Sequence, residues 1–160
     1  MYPVKDKKKC RISLPYGWRY PNCEPYISWG VAGKTHNGVD IAGKVKKDIY
    51  YITSPIHGKV ANAVGDYYQK LPPVGDPKRD KYIKSHREGN YVSINSSDSD
   101  GFRHILLHMR SVRVRPGQMV KKGQILGIMG SSGMSTGRHT HYAVKDLATG
   151  TWQDPKSYLT

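Results

Sequence analysis

Apolar and polar residues alternate over short stretches of the chain, and no long stretch repeats its apolar residues with the period of a helix. Successive side chains of a strand point to opposite faces, so this alternation is typical of strands with one buried face. Turn pairs such as Asn37-Gly38 separate the alternating segments. The pattern predicts strands over residues 39–41, 50–53, 58–63, 90–95, 103–108, 124–129 and 140–144. We therefore expect an all-β fold, either an antiparallel sheet or a partly open β-barrel, with a site in a surface groove.

The length of 160 residues is that of one domain with a sizeable core. We expect a single domain with an N-terminal extension over residues 1–13 and an inserted surface loop over residues 65–89. This insertion is polar, charged and proline-containing, which favours a solvated loop. The alternative is a wall of a substrate groove, since Tyr67, Tyr68 and Tyr82 could lie against a glycan or a peptide.

Two short motifs carry side chains that bind metals. HNGVD contains His36 and Asp40, and HTHYAV contains His139 and His141. The two histidines of HTHYAV would share one face of a strand, while Thr140 points the other way. His36 can fold back across its turn toward Asp40, an acid among aliphatic residues that is costly to bury unless it is paired or metal-bound. Taken singly, each motif is also compatible with a solvated turn or an ordinary strand.

A further histidine, His108 in LLHM, completes a set of five residues. A catalytic zinc site needs three nitrogen or oxygen ligands and an open position, and histidine is suited to moving protons near neutral pH. The five residues supply three ligands and two spare imidazoles, the parts of a one-zinc hydrolase. Spacing alone leaves His139 and His141 interchangeable as ligands. His57 and His86 are interpreted as residues of a surface turn and a solvated loop.

The order of the motifs along the chain indicates a family. They run as YGWR (16–19), HNGVDIAG (36–43), SPIHGKVANA (54–63), GNYVSI (89–94), LLHM (106–109) and a Gly-rich stretch that ends in HTHYAV (114–144). In this order they resemble the lysostaphin-type, or LytM-like, zinc endopeptidases, which cut peptide cross-links in bacterial peptidoglycan. The resemblance covers most of the chain, and its final stretch is highly specific.

The resemblance implies roles that spacing could not divide. It makes His36, Asp40 and His141 the ligands of a Zn²⁺ cofactor, and it makes His108 and His139 the unligated catalytic pair. Zinc would lower the pKa of a bound water toward 7 and help to stabilise the oxyanion at the scissile carbonyl. His139 is expected to act as the general base, and His108 to orient the water or to stabilise the oxyanion.

One position departs from the family pattern. The family usually has an aromatic residue two positions before the third-motif histidine, where this chain has Leu106. His104, expected on the same strand face two positions further back, is therefore kept as an alternative to His108 and as a groove candidate. We favour His108, and we interpret His104 as a residue that supports the site or as an exposed strand residue.

The chain is strongly basic, with a formal net charge of +14. Residues 5–9, 44–47 and 110–115 contribute much of it. Such a surface accumulates near polyanions. No helix-turn-helix, RNP-type or zinc-finger pattern is present, so a specific nucleic-acid partner is not expected. Anionic wall polymers such as teichoic acid are consistent with an enzyme whose partner is bacterial peptidoglycan.

The cysteines and the chain start bear on where the protein acts. Cys10 and Cys23 either form a disulfide that ties down the N-terminal segment or stay reduced. No apolar stretch is long enough to span a membrane, and MYPVKDKKKC is not a signal peptide. We expect action at the bacterial cell wall, by a domain of a longer secreted protein or by a phage-delivered product.

Two other classes of function remain open. A catalytically inactive member of the same fold could serve as a wall-binding scaffold or as an activator of another hydrolase. Such proteins typically lack one or more zinc ligands, whereas all five positions are filled here. A basic nucleic-acid-binding β-barrel with incidental histidines would bind DNA or RNA in a salt-sensitive way and hold no stoichiometric zinc.

Overall fold

The computed structural model describes residues 2–23 and 25–160, and most of these residues belong to one antiparallel β-sheet. The strands are β1 Cys10–Leu14, β2 Val39–Gly43, β3 Tyr51–Thr53, β4 Gly58–Val64, β5 Asn90–Ser96, β6 Phe102–Val112, β7 Met119–Val120, β8 Ile125–Met129, β9 His139–Asp146 and β10 Trp152–Gln153. Two short helices, α1 Tyr67–Lys70 and α2 Arg79–Ser85, and 3-10 turns at Lys7–Lys9 and Pro155–Tyr158 complete the structure. Each of the seven predicted strands is present, with ends that differ by up to a few residues. The sequence pattern did not predict β1, β7 and β10.

The strands lie in the order β1-β2-β9-β6-β5-β4-β7, and β10 pairs with β9. A second branch is formed by β8, which pairs with β3 and with β6. All of these pairs are antiparallel, and the strands at the two ends of the order do not pair with each other. The sheet is therefore open, which confirms the expected all-β class and its partly open form.

One face of the central strands forms the core. Alternate residues of β2, β5, β6 and β9 point into it and are almost fully excluded from solvent. Burying one such aliphatic side chain contributes roughly 1.5–3 kcal/mol. The core includes Val39, Ile41, Val92, Ile94, Leu106, Tyr142 and Val144. The other face of the same strands is left for a groove.

A β-bulge interrupts the alternation on β6. Val92 pairs with Leu106, but Asn90 pairs with Met109, so the bulged strand carries an extra residue at this point. His108 lies there with a backbone φ of 63°, a left-handed conformation that is uncommon for any residue other than glycine. A bulge of this kind changes the direction of a side chain. Here Leu107 and His108 both line the groove face, while Met109 returns to the core.

The insertion is ordered rather than an irregular loop, because it contains both helices. Tyr67 is buried, and its backbone N–H donates to Asn90 Oδ1 over 2.9 Å. The ring of Tyr82 packs against Tyr67 at 5.5 Å and stacks on His86 at 4.0 Å. The insertion is thus anchored on the start of β5, next to the groove.

Several smaller expectations are resolved by the fold. Cys10 and Cys23 are both free, the first buried and the second exposed, so of the two alternatives the reduced pair is found. His57 is exposed in the bend before β4, as expected. His86 is exposed at the end of α2. Among the described residues, no helix is long and apolar enough to cross a membrane.

Candidate active site

The pairing of β2 with β9 places three of the five candidate residues on one face. Asp40 lies directly opposite His141, and Ala42 lies opposite His139. Directly paired residues of an antiparallel sheet point to the same side. Thr140, between the two histidines, is buried on the core side. The shared face predicted for His139 and His141 is therefore the face that carries Asp40.

His36 reaches the same point from the segment that precedes β2. Its backbone is held by the N-terminal part of the chain: the His36 N–H donates to Trp18 O over 2.8 Å, and the Gly17 N–H donates to His36 O over 2.9 Å. Nδ1 of its ring lies 2.9 Å from Pro15 O. A carbonyl oxygen can only accept, so Nδ1 carries the hydrogen and Nε2 faces the site with a lone pair. Only 1% of the His36 surface is exposed.

Three potential ligand atoms converge. His36 Nε2 lies 2.9 Å from His141 Nδ1 and 3.2 Å from Asp40 Oδ1, and His141 Nδ1 lies 2.9 Å from the same oxygen. Burial by itself would raise the pKa of Asp40, but the contacts with His141 and His36 outweigh it and hold that pKa well below its usual value. Burial lowers the pKa of His141, against the attraction of Asp40. The site thus favours an anionic Asp40 beside a neutral His141.

This donor set suits zinc. Two imidazole nitrogens and a carboxylate oxygen are ordinary zinc ligands, and tetrahedral ligands at about 2.0–2.2 Å from the metal lie about 3.3 Å from one another. The observed separations of 2.9 and 3.2 Å are close to that value. The two facing nitrogens, His36 Nε2 and His141 Nδ1, need either a proton or a cation between them. A metal ion would take the place of that proton.

The two remaining histidines stand beside this group. A cavity of about 100 Å³ is lined by Asp40, His108, His139 and His141. The rings of His108 and His139 lie 4.8 Å apart, and His139 Nε2 lies 3.7 Å from Asp40 Oδ1. All five residues that the sequence singled out are therefore brought together.

Backbone carbonyls orient this second pair of imidazoles. His108 Nδ1 donates to Ser132 O over 2.8 Å, and His139 Nδ1 donates to Gly137 O over the same distance. Both acceptors belong to the Gly-rich loop before β9. Burial, together with the neighbouring His139 and His141, lowers the pKa of His108 to about 3. His108 is therefore neutral at physiological pH, and its free lone pair is on Nε2.

Two grooves meet at the site. The first, of about 370 Å³, is called the aromatic groove; its lining includes Tyr20, Trp29, Arg87, Glu88, His108 and His141. The second, of about 310 Å³, is called the sheet groove because it follows the exposed face of the strands; its lining includes Asn37, Glu88, Ile105, Arg103, His141 and Trp152. His141 and Glu88 line both. A substrate that crosses the site can thus contact the chain on either side of it.

Sequence reasoning did not identify several of these groove residues. Tyr20 lies edge-on to His36, and burial, with Asp40 nearby, raises the pKa of Tyr20 to about 12, so the phenol keeps its proton. Arg87 and Glu88 lie at the end of the insertion. The insertion contributes these two residues, rather than its tyrosines, to the lining of the grooves. The HNGVD motif gave no signal for Tyr20, and a charged loop gave none for Arg87 or Glu88.

Four groove candidates are placed elsewhere by the structure. Tyr67, which belongs to the insertion, is buried, and the ring of Tyr82 packs against the ring of Tyr67. Tyr68 is 47% exposed but lines a separate cavity with Arg110 and Arg138. His104 is fully buried on the core face, where its Nδ1 lies 2.8 Å from the Tyr142 hydroxyl. The structure therefore corrects the expected groove roles of all four.

The correction for His104 has a simple physical reason. The expected shared face of His104 and His108 assumes an unbroken alternation along β6. The bulge adds one residue between them, so Leu106 and His104 face the core while His108 faces the groove.

Comparison with known proteins identifies the class to which this fold and site belong. Residues 34–155 match the sequence profile described as Peptidase family M23. This match covers most of the chain and all five candidate residues. The chain belongs to peptidase family M23, whose members are zinc metallopeptidases, so zinc is the cofactor that the family and the donor set both indicate.

Individual relatives are similar over part of their length. Lysostaphin of Staphylococcus simulans is 29% identical over 133 residues, which are 81% of this chain and 22% of lysostaphin. The peptidoglycan DD-endopeptidase ShyC of Vibrio cholerae is 31% identical over 110 residues, which are 64% of this chain and 24% of the relative. The chain thus spans less than a quarter of the length of either protein.

Solved structures share the fold. The catalytic domain of lysostaphin from Staphylococcus simulans superposes with a TM-score of 0.67 at 25% identity, over 95% of this chain and 93% of the domain. A chain of the SpoIIIAH–SpoIIQ complex superposes with a TM-score of 0.70 at 17% identity, over 99% and 98% of the two chains. At 17% identity, the second comparison shows a shared fold only.

Proposed function

We propose that this chain is a zinc-dependent endopeptidase that hydrolyses peptide cross-links of bacterial peptidoglycan. The observation that carries the proposal is the convergence of His36, Asp40 and His141 at the junction of two grooves, with His108 and His139 alongside. Membership of family M23 and the peptidoglycan-acting relatives support it.

His36, Asp40 and His141 would hold the metal through two nitrogens and one oxygen. Three protein ligands leave a coordination position open, which is the arrangement of catalytic rather than structural zinc sites. When bound, zinc acts as a Lewis acid and lowers the pKa of a coordinated water toward 7. The anionic state of Asp40 and the neutral state of His141 are the protonation states that ligation needs.

His139 is proposed as the general base. Its Nδ1–H is committed to Gly137 O, so Nε2 is the nitrogen available to take a proton from the attacking water and to return one to the leaving amine. His139 Nε2 also lies 3.7 Å from Asp40 Oδ1, on the side of the ring that faces the proposed metal site.

His108 is proposed to orient the attacking water. A neutral His108 whose Nδ1 donates to Ser132 O presents only an acceptor at Nε2. An acceptor can hold a water through one of its hydrogens, whereas a residue that stabilises an oxyanion must donate. The sequence left two roles open for His108, to orient the water or to stabilise the oxyanion, and this arrangement supports the orientation of the water.

The test combines zinc content with two measurements on purified peptidoglycan: loss of turbidity and release of free amines. We expect about one zinc per chain and chelator-sensitive release of amines without new reducing ends. Asp40→Ala and His141→Ala should lose both zinc and activity. His139→Ala and His108→Ala should keep zinc and lose turnover by about 100-fold or more.

Two histidines outside the site provide matched controls. His57→Ala and His86→Ala remove exposed imidazoles and should leave both zinc and turnover unchanged. Zinc that survives in His141→Ala would contradict the ligand assignment. A zinc-loaded wild-type protein that releases no amines from any peptidoglycan type would instead favour the catalytically inactive scaffold.

A further inference from the structure

A row of basic residues crosses the sheet at one level. In register, Lys59 on β4 pairs with Asn95 on β5, Asn95 pairs with Arg103 on β6, and Arg103 pairs with Lys145 on β9. Lys145 in turn pairs with Trp152 on β10. Since directly paired residues point to the same side of an antiparallel sheet, these five side chains share one face. We call Lys59, Arg103 and Lys145 the cationic row.

The cationic row lies on the groove face. Arg103 and Trp152 line the sheet groove, whose other end is lined by Asn37 and the candidate ligand His141. Lys145 is four residues from His141 on β9, which corresponds to roughly 13 Å at about 3.3 Å per residue. A peptide that extends along the sheet groove from the site would therefore reach the row.

Among the residues that the structure describes, none neutralises the positive charges of the row. No carboxylate of residues 2–23 and 25–160 lies within salt-bridge distance of the cationic row. Arg103 and Lys145 are directly opposite each other, an arrangement that is unfavourable for like charges. Departures from local consistency of this kind are expected where a side chain serves a ligand.

Two side chains of the row, those of Arg103 and Lys145, are held in place. Arg103 Nε donates to Asn95 Oδ1 over 2.8 Å, which leaves the two terminal guanidinium nitrogens for another acceptor. The Lys145 ammonium lies 5.3 Å from the centre of the Trp152 ring. A planar guanidinium with two free nitrogens matches the two oxygens of a carboxylate. Glu88 is an acid in the lining of the sheet groove, but it lies at the end of that groove next to the site, because it also lines the aromatic groove.

We propose that the cationic row is a subsite for a free carboxylate of the peptide substrate. The inference rests on the proposed function and narrows its substrate class: the cleaved peptide carries a carboxylate up to about four extended residues from the scissile bond. Peptides in which that group is amidated, or bridges without charged groups, lack the partner of the row. A phosphate polymer of the wall would share the charge, but Arg103, at the centre of the row, lines the groove that begins at the site.

The test compares binding of two synthetic peptides that differ only in a carboxylate or a carboxamide. Both carry a non-hydrolysable isostere of the scissile bond, and binding to the zinc-loaded protein is measured by calorimetry. We expect the carboxylate peptide to bind about tenfold more tightly to the wild type. In the double variant Arg103→Gln/Lys145→Gln the two peptides should bind within about twofold of each other.

A second double variant controls for net charge. Arg115→Gln/Lys121→Gln also removes two positive charges, at exposed positions away from both grooves, and should keep the tenfold preference. With hydrolysable versions of the peptides, the preference should appear mainly in KM rather than in kcat, because the row lies away from the reacting atoms.

The outcomes separate this inference from the proposed function. Equal affinity of the wild type for both peptides would overturn the subsite. Loss of binding to purified teichoic acid in Arg103→Gln/Lys145→Gln, without a difference between the peptides, would reassign the row to the wall polymer. Carboxylate-dependent binding without hydrolysis of either peptide would leave the subsite standing and contradict the endopeptidase.

Discussion

Three backbone carbonyls determine which nitrogen faces the site in three of its four imidazoles. Pro15 O accepts from His36, Ser132 O from His108 and Gly137 O from His139, in each case at Nδ1. Partners of this kind fix the tautomer and the orientation of a histidine. Every residue type has a carbonyl, so no sequence pattern marks these three positions. The histidines can be found from the sequence, but their protonation cannot.

His104 is expected to make the stability of the fold depend on pH. Burial lowers the pKa of His104 from 6.5 to about 4, so the folded state holds it neutral while the unfolded chain binds a proton below pH 6.5. The contribution of His104 to the free energy of unfolding is fully present above pH 6.5 and is lost as the pH falls toward 4. A shift of this size corresponds to roughly 3 kcal/mol. Urea unfolding of wild type and His104→Gln from pH 7 to pH 4 measures it.

The glutamine of that variant can still bond to Tyr142 but does not titrate. Its free energy of unfolding should therefore fall less steeply over the window than that of the wild type. Both proteins are measured with a chelator, so that loss of metal does not add to the slope. Identical slopes would show that His104 keeps its ordinary pKa in the folded state.

How far the sequence predicts the site depends on the residue. The period of two was enough to place His139 and His141 on one face, whereas the grouping of Asp40 with His141 was implied only by the family resemblance. The period was not enough to separate His108 from His104, because the bulge between them leaves no mark in the polar pattern. The tyrosines of the insertion were misplaced because a local pattern does not show which face packs inward.

At the scale of elements, the bulge on β6 carries a conformational strain that can be measured. His108 has a φ of 63°. In this region a residue with a Cβ is about 1–2 kcal/mol less favourable than in its ordinary conformation, whereas glycine has no such penalty. His108→Gly should therefore be more stable than His108→Ala by about 1 kcal/mol in urea unfolding.

The neighbouring position gives the opposite expectation. Leu107 lies on the same strand without a positive φ, and there glycine should be less stable than alanine by about 0.5–1 kcal/mol. The sign of the stability difference between the glycine and alanine variants should therefore reverse between positions 108 and 107, and this reversal would show the bulge. The same sign at both would mean that the strand does not bulge at His108.

The contact between β2 and β9 requires a glycine at position 38. A Cβ on Gly38 would lie 2.5 Å from Tyr142 O and 2.7 Å from His141 Nε2. Both are too close, and one belongs to the backbone of the strand that carries the candidate ligand His141. Gly38→Ala should therefore push the HNGVD segment away from β9 and weaken zinc binding by at least about tenfold, as seen in competition with a chromophoric chelator.

Gly137→Ala is the matched control for that contact. A Cβ there meets nothing within 4 Å, and the carbonyl that accepts from His139 is kept. Zinc affinity should remain within about twofold of the wild type. If both alanine variants bind zinc normally, the HNGVD segment can shift without disturbing the ligands.

The elements themselves were predictable where alternation was clear and not elsewhere. The central strands β5, β6 and β9 have a core face of aliphatic residues, and all were expected. The helix α2 was not, since RDKYIKS has no apolar stripe and Lys78 before it provides no side-chain cap. β7 and β10 have only two residues each, too few to show any period.

At the scale of the whole molecule, net charge is the property that follows most directly from the sequence. The net charge of +14 is borne by 26 basic and 12 acidic residues. The described ion pairs outside the site use few of the basic residues: Lys9 with Asp6 and Asp48, and Lys70 with Asp66. The remaining excess gives the surface a positive field that acts beyond direct contact.

This field predicts that salt affects the two kinds of substrate differently. Intact walls with anionic polymers attract the protein over distances that salt screens, because the Debye length falls from about 10 Å at 0.1 M to about 3 Å at 1 M. Turnover of walls should fall several-fold between about 0.05 and 0.5 M NaCl. Hydrolysis of a small uncharged peptide at saturation should change by less than about twofold, since its chemistry lies inside the site.

Walls stripped of their anionic polymers separate attraction from catalysis. On such walls the salt dependence should shrink toward that of the small peptide. Duplex DNA added as a competitor should inhibit turnover of intact walls at low salt and not at high salt, because binding to it is electrostatic. If turnover of the small peptide falls as steeply with salt as turnover of walls, salt acts on the site rather than on the surface. The net charge would then have no part in bringing the protein to its substrate.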